Sequence, residues 1–326
     1  MTFGFKSGFA GRLNSFVEQK QALGIGYESN IYFLRLFDET CAANFPSATE
    51  LTKEICLSIA VRKNTENGTS FRNRISPLRE FAKFLVRNGE IAYVLPTDLA
   101  KKAPRCLPYI YSKDEIAQIW EEFDNMPIIP YLPTRHIVLP AVMRVLYCCG
   151  LRPVEACRLK YNDVDLDLGR LFIRESKGHH DRIVMTSDDL TEYLVDYNKR
   201  ITEILPNREW FFTGAHNTMC AEKWICAMFA KVRDKLNIHG ANRQIPRLYD
   251  VRHTFATHRL YEWMKDGEDI YERLNHLSAY MGHAQITDTY YYIHLVPEQL
   301  ITLAGVDFSS YESLLPEADY DERCFE

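Results

Sequence analysis

A stretch punctuated by Gly89, Pro96, Pro104 and Pro108 and carrying Lys101, Lys102 and Arg105 divides this chain, because such residues interrupt regular structure and favour exposed backbone. On its N-terminal side, apolar residues recur at spacings of three and four within Phe9 to Leu23, Ile31 to Ala43, Leu51 to Ala60 and Ile75 to Val86. That spacing predicts helices, and no strand pattern interrupts them. On its C-terminal side, Ser112-Lys113-Asp114-Glu115 has the form of a capping box ahead of Ile116, Ile119 and Trp120, which marks a helix start. The chain has 326 residues, more than one hydrophobic core readily serves, so two domains are expected. The first is read as residues 1–105 with a linker to about 111, and the second begins at Ser112.

The second region predicts a long helix from about Thr134 to Cys149, a short helix after Gly150, and a β-hairpin. In the hairpin, Leu171–Ile173 and Ile183–Met185 flank Lys177-Gly178-His179-His180-Asp181-Arg182. Further helices fill most of Leu190 to Leu303. The expected fold is therefore mainly α with a small β-hairpin.

Charge is informative through its distribution. The net charge is −5, but residues 1–105 carry 15 Lys+Arg against 10 Asp+Glu, while residues 306–326 carry one against seven. An acidic tail hides a basic N-terminal third, a pattern that fits a nucleic-acid partner despite the net value. Charged residues make up 25% of the chain, and no apolar run approaches the roughly 18 residues of a membrane span. The N-terminus lacks the apolar block of a secretory signal, so a soluble, cytoplasmic protein without a membrane partner is expected. The nine cysteines form no C-x-x-C and are read as reduced. No His/Cys pair at ligand spacing stands beside a second such pair, so no metal site is expected.

Four separated patches carry chemistry. Cys149-Gly150-Leu151-Arg152-Pro153-Val154-Glu155 sets an arginine at a helix start with a glutamate one turn later that can orient it. Lys177 sits in the hairpin turn, where its ammonium could reach a phosphate or protonate a leaving alkoxide. Tyr249-Asp250-Val251-Arg252-His253-Thr254 places a second guanidinium inside an apolar helix, where an unpaired arginine is uncommon. Met281-Gly282-His283 is followed by Ile286 and Thr289-Tyr290-Tyr291-Tyr292. Alone, the first patch reads more readily as a surface ion pair, Lys177 as a solvated turn residue and the three tyrosines as an aromatic core face, while the Arg252 patch is more suggestive than the first. Together they supply cations for a phosphoryl group, an acid for a leaving oxygen, and a nucleophile.

In order and spacing, these patches resemble the tyrosine recombinase and phage-integrase family. Its pattern is a G-L-R-x-x-E box, a hairpin lysine, an H-x-L-R-H box, an L-G-H box and a tyrosine nine residues beyond. The resemblance implies a two-domain DNA clamp: a helical core-binding domain, a catalytic domain over 112–305, and an acidic tail over 306–326 that could be exchanged between protomers. Phe308, Tyr311, Leu314 and Leu315 would suit a groove for that exchange, and packing within the same protomer is the other reading.

Asp288-Thr289-Tyr290-Tyr291-Tyr292 also looks like the wording of recombinases encoded by transposons and other mobile elements. The implied activity is site-specific DNA recombination, whether for integration, excision, inversion or transposition. It proceeds through a 3′-phosphotyrosyl intermediate and a Holliday junction on double-stranded DNA, as a tetramer, with accessory recombinases or DNA-bending proteins as further partners. No cofactor is implied. The implied catalytic residues are Arg152, Lys177, Tyr249, Arg252, His283 and Tyr292. Successive helical residues point about 100° apart, so only one of the three tyrosines can face a phosphate. The nine-residue interval selects Tyr292, with Tyr291 the alternative. Lys63, Arg72, Arg74, Arg79, Lys101, Lys102 and Arg105 are the candidate DNA contacts, against a solvated helix face as the bland reading.

Tyr249 departs from the pattern, standing where the family has histidine, which reopens the question of the proton acceptor. An inactive DNA-binding relative and a type IB topoisomerase-like enzyme are the alternative readings.

Overall fold

The computed structural model describes residues 3–25, 27–64, 66–100, 107–174, 181–214, 217–240, 244–283 and 285–295. They fall into two compact units, one within residues 1–104 and one within 105–326.

The first unit contains α1 (Ala10–Ala22), α2 (Glu28–Asn44), α3 (Lys53–Ile59) and α4 (Gly68–Arg87). Side-chain caps start the last two helices: Thr52 accepts from the Ile55 N–H, and Asn67 accepts from the Ser70 N–H at 2.8 Å. Aromatic rings fill the core. Phe16 lies 5.7 Å from Phe81 and 5.4 Å from Phe84 between centroids, and Phe9 lies 5.7 Å from Phe37. Buried Asp38 accepts from the Lys6 and Ser7 N–H groups at 2.6 and 2.9 Å, tying the N-terminal segment to α2.

In the second unit, α5 (Lys113–Asp124) begins at the expected capping box: the Ser112 hydroxyl accepts from the Glu115 N–H, and Glu115 accepts from the Ser112 N–H. α6 (Arg135–Cys148) is apolar on most of its circumference and runs through the core, with nine consecutive-to-near residues from Ile137 to Leu146 buried. Then follow α7 (Pro153–Cys157) and a three-stranded antiparallel sheet of β1 (Val164–Asp165), β2 (Arg170–Ile173) and β3 (Arg182–Met185), in the order β1-β2-β3. The expected hairpin is the β2–β3 pair, in the register Phe172↔Ile183 and Ile173↔Arg182. β1 is an addition that its two residues are too short to announce. Beyond the sheet come α8 (Asp188–Ile204), α9 (Glu222–Lys235), α10 (Asp250–Lys265), α11 (Ile270–Met281), α12 (Thr287–Tyr290) and a 3-10 turn over Tyr291–Leu295.

Lys177, Lys101, Lys102, Arg105 and the tail over 306–326 lie outside the described residues. Among the described residues, no helix is long and apolar enough to cross a membrane.

Candidate active site

Two glycines let the chain bring its boxes together. Gly150 has φ +58°, and a Cβ there would meet Phe255 Cδ1 at 2.3 Å, so only glycine permits the close approach of the α6–α7 turn to α10. Gly282 ends α11 in the left-handed conformation at φ +66°, with its own N–H on Ala279 O and the His283 N–H on Ser278 O. That turn aims His283 back toward the first box.

Arg152 caps α7, and Glu155 closes a loop with it. Glu155 accepts from the Arg152 backbone N–H at 2.9 Å and from Arg152 Nη1 at 2.7 Å, while Arg152 Nη2 donates to Gly282 O at 3.1 Å. Arg182, the first residue of β3, donates to both oxygens of the same carboxylate at 3.0 and 2.8 Å and to Tyr280 O at 2.8 Å. Arg252, 1% exposed, donates through Nη1 to Gly150 O at 2.5 Å and through Nη2 to Met281 O at 2.6 Å, with Nη1 4.0 Å from Glu155. Three guanidinium groups thus converge on one buried carboxylate. Burial works to raise the Glu155 pKa, but the hydrogen bonds and charge of Arg182, with the Arg152 N–H and the charge of Arg252, hold it at about 2.

The tyrosine lies against this cluster. Tyr292 is buried, its ring stacked on His283 at 5.9 Å and tilted against His253 at 5.5 Å. Tyr291 is half-buried, with its ring 6.5 Å from His253, and Tyr290 is buried in the cluster formed by α10 and α11. Among the described ring contacts, only Tyr292 touches both imidazoles. Tyr249, 41% exposed at the start of α10, has its hydroxyl beside the Arg152 guanidinium and its ring 5.3 Å from His253. His283 Nδ1 and the buried Thr289 hydroxyl are 2.7 Å apart.

The potential in the site is positive. Burial and then the charges of Arg252, Arg152 and Arg182 push the His283 pKa down to about 3. Burial and then Arg252 and Arg247 push His253 to about 4, against the opposing pull of Asp250. Both imidazoles are neutral near pH 7. Burial pushes the Tyr292 hydroxyl up to about 12 despite Arg252. A cluster of three guanidiniums against one carboxylate, beside a tyrosine hydroxyl, suits an anionic group such as a phosphodiester.

The structure therefore brings together Arg152, Tyr249, Arg252, His283 and Tyr292, and adds Arg182, His253 and Thr289, which the sequence reading had not picked out. Arg182 carried no signal beyond its place after the hairpin turn. His253 stood in the quoted box, and its i+4 spacing from Tyr249 was the available clue.

The N-terminal DNA candidates divide. Lys63 is exposed and Arg72 half-buried. Arg79 is 8% exposed, with Nε and Nη2 on the Leu95 and Pro96 carbonyls at 2.8 and 2.7 Å, so it is an internal strut and not a phosphate contact. Arg74 is likewise turned inward, onto Glu66 at 2.8 and 2.7 Å and onto the Ile59 and Val61 carbonyls.

Comparison with known proteins gives a family-model match, the phage integrase family, over residues 111–299. A putative integrase/recombinase of Sinorhizobium fredii, y4rB, is 28% identical over 298 residues, covering 90% of this chain and 94% of the relative. Among solved structures, a lambda integrase tetramer bound to a Holliday junction aligns with a TM-score of 0.57 at 17% identity, over 85% of this chain and 78% of the other. The Tn1549 transposon integrase in complex with transposon right end DNA aligns with a TM-score of 0.59 at 13% identity, over 85% and 92%. At these identities the structural likeness concerns the fold.

Proposed function

We infer that this chain, which belongs to the phage integrase family of tyrosine recombinases, cleaves and rejoins DNA at specific sites through a covalent link between Tyr292 and a 3′ phosphate. The observation that carries the reading is Tyr292 held between two neutral imidazoles at the edge of the Arg152, Arg182 and Arg252 cluster. The Tyr292 hydroxyl attacks the scissile phosphorus, storing the bond energy in the enzyme–DNA link. Arg152 and Arg252 present N–H donors to the non-bridging oxygens. In the tautomer that carries its proton on Nε2, in which the Thr289 hydroxyl donates to Nδ1, His283 offers a further donor as charge develops. Tyr249, beside Arg152, adds a hydroxyl donor. Lys177 protonates the departing 5′ oxygen.

In this reading the chain acts on double-stranded sites as a tetramer through a Holliday junction, as the lambda integrase complex is assembled. It serves a mobile element, as the transposon integrase does. The first unit binds DNA, with Lys63 and Arg72 as its phosphate contacts; Lys101, Lys102 and Arg105 complete that set.

The test uses nicked suicide duplexes tiling the ends of the genetic element that carries the gene. The wild-type protein should give a denaturant-stable adduct that mass spectrometry maps to Tyr292, and Tyr292→Phe should give none. Mapping to Tyr290 or Tyr291 would reject the assignment. Joints between two sites, as opposed to relaxation of a single supercoiled duplex, separate a recombinase from a topoisomerase.

A further inference from the structure

His253 follows Arg252 on α10 and lies one helical turn beyond Tyr249, so the two side chains share a helix face. Its ring contacts Tyr249 at 5.3 Å, Tyr292 at 5.5 Å and Tyr291 at 6.5 Å. The two imidazoles against Tyr292 differ in one respect. His283 Nδ1 is engaged by the Thr289 hydroxyl at 2.7 Å, whereas His253 Nδ1 is buried with no hydrogen-bond partner among the described residues. A buried nitrogen left unmatched is destabilising, so its place in a ring packed against Tyr292 calls for a reason.

Tyr249 sharpens the point. It occupies the place of the histidine expected from the box pattern, and a phenol offers a hydroxyl donor but no imidazole nitrogen to accept a proton. The acceptor must then be another group that reaches Tyr292.

We propose that His253 is that acceptor, taking the Tyr292 proton during cleavage and returning it during rejoining. The assignment rests on Tyr292 being the nucleophile. In the forward step the Tyr292 Oη–P bond forms, the O–H proton passes to the His253 imidazole, the P–O5′ bond breaks, and the 5′ oxygen takes a proton from Lys177. In the reverse step the 5′ hydroxyl attacks phosphorus, its proton returns to the lysine, and the imidazolium reprotonates Tyr292 as the O–P bond breaks. His253 is neutral in the free protein, as an acceptor must be. The docked phosphate adds negative charge beside it and strengthens it as a base at the moment of use. Ring contact without a direct hydrogen bond is the usual state of such a pair before substrate tightens it.

The experiment measures single-turnover cleavage of the nicked suicide duplex by wild type, His253→Ala and His253→Gln, with melting curves for each. His253→Ala should cleave on the order of a hundredfold more slowly, and added imidazole should restore roughly tenfold. Tyr292→3,5-difluorotyrosine, with its more acidic phenol, should shrink the loss caused by His253→Gln. This second arm decides the matter if His253→Ala fails to fold. An adduct on Tyr292 whose rate is the same in folded His253→Gln, or a loss indifferent to imidazole and to fluorination, overturns the assignment of His253 alone. An adduct on another tyrosine, or none, overturns the nucleophile assignment and this one with it.

Discussion

Arginines are buried in both units of this molecule, and they do different things. In the first unit, Arg74 faces one carboxylate, Glu66, at 2.7 Å and two backbone carbonyls, and Arg79 ties α4 to the Leu95 and Pro96 carbonyls. These contacts are closed: each guanidinium has a local partner, and the acidity that Arg74 shifts is that partner's own, its hydrogen bonds holding the Glu66 carboxyl below the usual carboxylate range. In the second unit, Arg152 and Arg182 share Glu155, with Arg252 4.0 Å away; burial and then the charges of all three depress His283, while burial and then Arg252 and Arg247 depress His253. Burial of an arginine is thus no sign of a site by itself. The sign is a cation whose field reaches titratable groups that a ligand would complete.

Removing the shared carboxylate should produce the largest effect. Glu155→Gln leaves converging guanidiniums with nothing to neutralise them and should cost about 3–5 kcal/mol of unfolding free energy, read from urea melts of the full chain. Glu66→Gln should cost only about 1 kcal/mol, because Arg74 keeps its carbonyl partners. Equal costs would erase the distinction between the two clusters.

Next in size is the arginines' effect on rate. Arg152→Ala or Arg252→Ala should slow cleavage by roughly a hundredfold or more while site affinity, measured by gel shift, changes far less, since they address charge that develops in the transition state. Arg74→Ala should leave the cleavage rate per folded molecule unchanged. Parallel losses of binding and cleavage in Arg152→Ala would show that it is only one more phosphate contact.

Tyr249→Phe removes a hydroxyl and little else. A loss of roughly tenfold in single-turnover cleavage, the scale of one transition-state hydrogen bond, is expected, with Tyr249→His retaining activity. A silent Tyr249→Phe would place the phenol outside the reaction.

The depressed pKa values also predict acid lability. His253 and His283, at about 4 and about 3, bind protons less readily folded than unfolded, where the value is 6.5, and Glu155 stands at about 2 against 4.5. As pH falls, the unfolded chain is protonated first. Stability linked to the histidines is therefore full above about 6.5 and drains as pH falls toward 4, and that linked to Glu155 drains from about 4.5 toward 2. The slope from each histidine is roughly 1 kcal/mol per pH unit. His253→Gln should flatten the fall between pH 6 and 4.5 in urea melts; an unchanged slope would show that the imidazole is not held neutral by the fold.

The smallest expected effect is none. Among the described residues no group of three or more His, Cys, Asp or Glu side chains could hold a metal ion, and the proposed exchange of one phosphodiester for another needs none. Cleavage should persist in excess EDTA without nucleotide, and abolition with rescue by one divalent ion would place the reaction in another class.

Signals that live within a few consecutive residues were legible in the sequence. The Ser112–Glu115 capping box, the helical periodicity of the first unit and the pairing of Leu171–Ile173 with Ile183–Met185 are all local, because capping, amphipathic spacing and strand alternation are properties of short segments. Which charged groups meet was decided only by the tertiary structure. Arg182 and Glu155 are 27 residues apart, and Gly150 and Arg252 are 102 apart. Nothing in the periodicity of either segment specifies the other. The same holds for Arg79, whose charge in an amphipathic helix reads as a solvated face until the returning Leu95–Pro96 segment covers it. It holds too for His253, which became a candidate only when the 3-10 turn of Tyr291–Leu295 laid Tyr292 against its ring. Local sequence fixes the direction a side chain leaves its own element, whereas the partner it finds depends on how distant elements pack, and that is where a shared carboxylate and an unmatched imidazole acquire their meaning.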